Sequence, residues 1–170
     1  MIPYFMMRAN RLLISHFTVD DAAFILELVN TEGWLKYIGD KNIRSMEDAT
    51  RYLLDGPLSD YKKDGFGLFK IMELDSGESV GMCGLLERHY LEYPDMGFAL
   101  LPEFEGRGFM SETCEYLLQW YSEVLGLERI SAIVQQDNSR SIGLLRKLDF
   151  TFDKMIERDG DMLRLYQKIL

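Results

Sequence analysis

The chain has 170 residues, 47% of them hydrophobic and 28% charged, with 19 Lys and Arg against 28 Asp and Glu for a formal net charge of −9. That is the balance of a soluble globular chain of about one domain. The acid excess excludes a protein that grips nucleic-acid backbone or docks on anionic lipid, because both need clustered Lys and Arg.

In chain order, the apolar run Met1 to Met7 is interrupted by Pro3 and has no cationic segment before a sustained apolar stretch, so no signal peptide is expected. No uncharged run anywhere approaches the roughly 18 residues of a membrane span. Arg11 to His16 reads as a short strand leading to a turn at Thr18. A helix is expected from about Asp20 to Asn30, with Ala22, Ile25, Leu26 and Val29 on one face. Glycines and charges from Gly33 to Arg44 predict a loop holding Trp34 and Tyr37. Ser45 with Asp48 three residues later resembles a capping pair opening a helix to about Leu54, which Gly56-Pro57 stops. After Gly65 the period changes to that of strands: Leu68 to Leu74, Val80 to Glu87 after the turn at Asp75–Glu78, and Asp95 to Leu101.

A long helix is expected from about Gly108 to Leu125, since Phe109, Thr113, Leu117, Tyr121 and Leu125 recur every four residues. Gly126 suits its C-terminal cap. Cys83 and Cys114, too few for a disulfide framework and without metal-ligand spacing, are expected to be buried free thiols in a reducing cytoplasm. Arg129 to Gln135 is β-rich, Asp137 or Asn138 caps a short helix to about Leu148, and Thr151–Glu157 and Met162–Ile169 form a hairpin across Asp159-Gly160. Mixed strands and helices with adjacent hairpins predict an α+β or mixed-sheet domain.

Chemistry concentrates at the strand, loop and helix from Asp95 to Glu112. Two glycines at the mouth of a long helix let backbone approach a ligand closely, while the unpaired amides of the first turn favour an anion, best a phosphate. Arg107 can add positive charge there. Gly106-x-Gly108 also matches the opening of a dinucleotide fingerprint, but the acid needed about 20 residues on is Glu128, which precedes its strand where a ribose cannot reach it. No Gly-Lys-Ser/Thr triplet supports a nucleoside triphosphate loop.

With the Asp137-Asn138-Ser139-Arg140-Ser141 segment added, the chain resembles the GNAT acetyltransferase superfamily and, within it, the RimJ/RimL-like branch. The matching pieces are the Arg-Leu-Leu-Ile opening strand, Leu35–Asp40, Gly81–Leu85, Asp95–Phe98, the glycine loop and Asn138-x-x-Ser141. The resemblance implies an α+β (mixed α/β) GNAT fold, one domain over residues 1–170 with a central splayed, mostly antiparallel sheet flanked by helices. It implies acetyl-CoA as cosubstrate without a metal, and transfer to a primary amine of a small molecule or peptide N-terminus by a monomer or homodimer, with no nucleic acid or membrane partner.

For the site, the resemblance places acetyl-CoA on Phe98, Ala99, Leu100, Glu103, Gly106, Arg107, Gly108, Phe109, Met110, Asn138 and Ser141. The backbone near Phe98 and Ala99 would polarise the thioester carbonyl, Ser141 would donate to the leaving sulfur, and Asp95 would be the general base through a water. His89, Glu87 and Glu157 are further candidates for the base, while His16 is read as structural. Trp34, Tyr37 and Tyr90 would wall the acceptor pocket together with Phe66; Asp40, Asp64 and Glu92 flank that set and hint at a cationic amine. Glu103 departs from the usual Gln/Arg at the start of the loop, Glu105 must point outward from two phosphates, and Leu145 stands where many members carry Tyr. That last departure keeps open a CoA-binding sensor with little turnover.

Overall fold

The computed structural model describes residues 5–170, so Met1–Tyr4 of the N-terminal apolar run lie outside the described residues. Strands β1 (Met6–Arg8) and β2 (Leu12–Ser15) form a first hairpin, and the chain then passes through a single 3-10 turn into α1 (Ala22–Leu28). Thr18 caps that turn with a full capping box to Asp21. The buried face of α1 is Ala22, Ile25 and Leu28, continued by Val29; Leu26 is only half-buried.

The expected 33–44 loop is partly helical, as α2 (Glu32–Tyr37). Thr31 caps it by accepting from the Trp34 amide, with Glu32 in the first turn and Lys36 in the last, the charge order a helix dipole favours. Six residues are too few to display a 3.6-residue period. Helix α3 (Met46–Asp55) opens with the expected Ser45–Asp48 capping box. Gly56-Pro57 ends it but also begins α4 (Pro57–Lys63), because proline at the first helical position loses no hydrogen bond.

The remaining elements follow the expected order: β3 (Leu68–Glu73), β4 (Ser79–Leu86), β5 (Asp95–Leu100), α5 (Phe109–Glu123), β6 (Arg129–Gln135), α6 (Ser139–Lys147), β7 (Thr151–Arg158) and β8 (Asp161–Ile169). The β7–β8 turn places Asp159 and Gly160 at φ 50° and 86°, as a two-residue hairpin loop matched to strand twist requires. The strands join one eight-stranded sheet ordered β1-β2-β3-β4-β5-β6-β8-β7. Every neighbouring pair is antiparallel except β5 and β6, which α5 connects as a crossover. Phe69, Ile71, Met82, Leu85, Leu117 and Tyr121 lie at the centre of the core. Cys83 and Cys114 are both buried with free sulfurs 3.7 Å apart, and the Cys83 sulfur together with burial pushes the Cys114 thiol well up. No helix among the described residues is long and apolar enough to cross a membrane.

The sheet is interrupted where function needs room. β5 and β6 share one register pair, Asp95 with Ser131. The Ser131 amide donates to the Pro94 carbonyl at 2.8 Å. The Ile133 amide, which would bond β5 backbone in a continued parallel ladder, instead donates to Asp95 Oδ1 at 3.1 Å. A side-chain carboxylate thus replaces the next ladder acceptor, and the strands part beyond it. Asp95 and Met96 are buried, while Gly97 to Leu100 are half-exposed along the opening.

Candidate active site

The opening between β5 and β6 widens toward their C-terminal ends, where one strand leads to α5 and the other to α6. On β5 the Leu101 amide donates to the Val80 carbonyl of β4 at 2.9 Å. Peptide groups alternate sides along a strand, so Gly97 and Ala99 also face β4 and the backbone of Phe98 and Leu100 faces the splay. A Cβ on Gly81 would meet the Ala99 carbonyl at 2.3 Å, which places Ala99 against β4 as well. Ala99, expected as a donor to a thioester, is turned away from the splay, and the Phe98 and Leu100 peptide groups face it instead.

Beyond β5, Pro102–Phe104 makes one 3-10 turn and the chain enters the glycine loop. Gly106 and Gly108 hold φ of +74° and +80°, conformations a side chain resists, and a Cβ at Gly106 would meet nothing within 4 Å. That open space lies before the first turn of α5, which has no side-chain cap, so its leading amides remain for a ligand. Glu103 is exposed at the rim, whereas Phe109 and Met110 bury their side chains and offer only backbone.

Three arginines surround this loop, each with an acid. Arg107 Nη2 lies 2.5 Å from Glu73 Oε1, with its guanidinium over the Phe104 and Phe109 rings. Arg11 pairs with Glu112 at 2.8 Å and donates to the Arg107 carbonyl. Arg140, in the first turn of α6, pairs with Glu105. Glu105 therefore turns toward α6, and Arg107 does not stand as a free cation. The loop presents amides within an almost neutral set of ion pairs, which suits a polyanion binding an acidic protein.

At the other mouth Asn138 caps α6 by accepting from the Ser141 amide at 3.2 Å. That bond uses its carbonyl oxygen and leaves its amide NH2 as a donor. Ser141 is half-buried on the first turn, and its cap bond uses the main chain, so its hydroxyl is uncommitted. Leu145, one turn on, is buried in the core; it fills its place as packing and faces no site.

Asp95 lies at the closed end of the splay. It is 2% exposed, its Oδ2 accepts from Arg88 Nε at 2.6 Å, and its Oδ1 accepts from Ile133. Burial pushes this carboxyl above its ordinary range while Arg88 and the Ile133 amide oppose the shift. Both oxygens hold the apex of the splay, so Asp95 could act on an amine only through a water that shares one of them. Asp95 ties the β4–β5 loop and β6 to β5 at that apex.

The expected acceptor wall is divided. Trp34 is 5% exposed and packed in the core with its indole N–H buried and unpartnered, which corrects its placement on a pocket surface. Tyr37 is half-buried beside Lys36 (2.9 Å to its hydroxyl), and Lys36 reaches Asp137 at 3.4 Å, bringing α2 to the α6 mouth. Tyr90 is half-buried in the β4–β5 loop under the Arg158 guanidinium, 3.8 Å from its ring centroid. The acids read as a cation site are already used: Asp40 pairs with Arg44 at 2.5 Å, Asp64 lies 3.6 Å from Lys63, and Glu92 accepts from Tyr93. No His/Cys/Asp/Glu group fit to hold a metal occurs among the described residues.

Comparison with known proteins matches residues 11–151 to the acetyltransferase (GNAT) domain model. The chain is 29% identical over 147 residues to the N-acetyltransferase YoaA of Bacillus subtilis (strain 168), covering 85% of this chain and 81% of that protein. It is 23% identical over 135 residues to spermidine N(1)-acetyltransferase of Escherichia coli (strain K12), covering 79% and 69%. Among solved structures, the ribosomal L7/L12 alpha-N-protein acetyltransferase RimL in complex with coenzyme A superposes with a TM-score of 0.85 at 17% identity, covering 98% of both chains.

Proposed function

The chain belongs to the acetyltransferase (GNAT) family, and we propose that it is an acetyl-CoA-dependent N-acetyltransferase that moves an acetyl group to a primary amine by direct attack in a ternary complex. The observation that carries this reading is the splay between β5 and β6, which ends at the amides of α5 on one side and at Asn138 and Ser141 on the other. A long, thin ligand with a phosphorylated end fits that layout: backbone for the pantetheine arm, and a glycine cradle with helix amides for the pyrophosphate. A dinucleotide site would also need an acid at the end of the strand after the helix, and β6 ends in Gln135.

The residues fall into roles along that path. Gly106, Gly108 and the amides of Phe109 and Met110 hold the phosphates, and the Asn138 NH2 holds the arm. The Phe98 and Leu100 peptide groups hydrogen-bond the arm and the thioester carbonyl, where negative charge develops. The neutral amine nitrogen forms its bond to the carbonyl carbon as the carbon–sulfur bond breaks, and Ser141 donates a hydrogen bond to the departing thiolate. With Asp95 committed to the apex, the amine proton leaves to water.

Release of free thiol from acetyl-CoA across a panel of peptide and small-molecule amines tests the reading. Amine-dependent release is expected. Tight acetyl-CoA binding with no release for any amine would instead make the protein a CoA sensor.

The ion pair at the loop gives a further expectation. Glu105→Gln frees the Arg140 guanidinium and removes a carboxylate beside the phosphates. Because Arg140 is exposed, the gain is discounted for solvent, and CoA is expected to bind about threefold more tightly at low salt, fading at high salt. Calorimetric titration at two ionic strengths reads this directly. Unchanged affinity at both would place Arg140 out of reach of the phosphates.

A further inference from the structure

Most basic side chains among the described residues either pair with a carboxylate or are exposed. Arg158 and Arg164 do neither: both are half-buried, neither has an acid within 4.0 Å, and the Nε of each is buried without a partner. In a chain of net charge −9, an unpaired guanidinium in partial burial is costly; an aromatic face offsets part of that cost, and an anionic ligand can offset the rest.

Arg158 stands at the tip of the β7–β8 hairpin, at the end of the sheet toward which the splay opens. It lies opposite Asp161 in the β7–β8 ladder, two residues along β8 past the Gln135–Leu163 pair that ends β6. Gln136 binds the hairpin to the α6 mouth through the Met162 carbonyl at 3.1 Å, and Gln135 reaches Asp161 Oδ2 at 3.3 Å. From the other side, the β4–β5 loop is fixed to the apex by Arg88 on Asp95 and reaches the hairpin through Tyr90, whose ring supports Arg158 at 3.8 Å. The loop thus runs from the closed end of the splay to the hairpin tip, with a guanidinium held at its end. Arg164 projects to the opposite face of the hairpin, toward Phe152, and is not part of this wall.

We infer that Arg158, positioned by Tyr90, is a specificity-determining residue that binds a carboxylate on the acceptor, so that the substrate class is amines bearing a carboxylate rather than polyamines. The inference rests on the acetyltransferase reading above. Planar, two-pronged recognition of a carboxylate is what a stacked guanidinium does best. The carboxylate belongs either to a free amino acid or to an acidic side chain next to a peptide N-terminus.

The test uses matched acceptors: alanyl-glutamyl amide against alanyl-glutaminyl amide for the peptide source, and 5-aminovalerate against its amide for the small-molecule source. At least one carboxylate member is expected to have a KM about tenfold or more below that of its amide, the size of a charge-assisted hydrogen bond. R158Q is expected to erase that preference and R158K to restore part of it, with CoA affinity unmoved. A merely structural Arg158 would shift both members of a pair alike. Calorimetric binding of the same pairs to the CoA-loaded protein separates the two readings. Carboxylate-selective binding without turnover overturns the transferase and keeps the subsite, whereas equal binding of each pair, or no binding, overturns the subsite.

Discussion

Gly106→Glu is expected to raise the dissociation constant for CoA by at least about 100-fold, roughly 2.7 kcal/mol. Two costs add. Gly106 sits at φ +74°, where a residue with a Cβ is strained by about 1–3 kcal/mol. Its Cβ would enter open space with nothing within 4 Å, so the side chain fills the cradle and brings a carboxylate to the phosphates. Nearby arginines offer little relief, since Arg11, Arg107 and Arg140 already pair with Glu112, Glu73 and Glu105. Gly106→Ala carries the strain without the charge and should fall between wild type and Glu. Calorimetric titration, with thermal unfolding to confirm the fold, checks the series. Wild-type affinity in Gly106→Glu would refute the loop as the phosphate site.

Ser141→Ala is expected to lower kcat by about 10- to 100-fold while the acetyl-CoA dissociation constant stays within about twofold. Positioned proton donors contribute typically about 10²–10⁴-fold, and an unassisted alkyl hydroxyl belongs at or below the bottom of that range. The helix should not suffer, because Asn138 caps it through the Ser141 amide and not the hydroxyl. Leu145 supplies no alternative donor, being apolar and buried in the core. Steady-state kinetics beside equilibrium binding separates the two effects. Unchanged kcat would remove Ser141 from thiolate departure.

Long periodic segments and end signals were legible from residues alone. The run with Phe109, Thr113, Leu117 and Tyr121 is α5, Ser45 and Asp48 cap α3, and Asp159-Gly160 turns the last hairpin. What escaped was short or doubly determined. Helix α2 has six residues, Gly56-Pro57 both stops one helix and starts the next, and β1 spans only Met6–Arg8. At the site, the glycine loop and Asn138 were visible because their chemistry is local. The surroundings of Asp95, Ala99, Trp34 and Arg107 were not legible because they depend on partners far along the chain: Ile133 for Asp95, β4 for Ala99, the core for Trp34 and Glu73 for Arg107. Arg158 gave no local signal, since its stacking on Tyr90 joins the end of β7 to the β4–β5 loop, far apart in sequence.

The net charge of −9 gains meaning from these contacts. The glycine loop is close to electrically neutral, so a polyanionic cosubstrate bound there would be held by helix-end amides rather than by bulk charge.

Direct transfer in a ternary complex is the central claim, and initial-rate kinetics with acetyl-CoA and the acceptor both varied tests it most directly. Double-reciprocal lines that intersect are expected, because thiol release requires the amine in the splay beside the thioester. Parallel lines, with thiol released by acetyl-CoA alone in a stoichiometric burst, would mean a covalent acetyl-enzyme and would contradict the account.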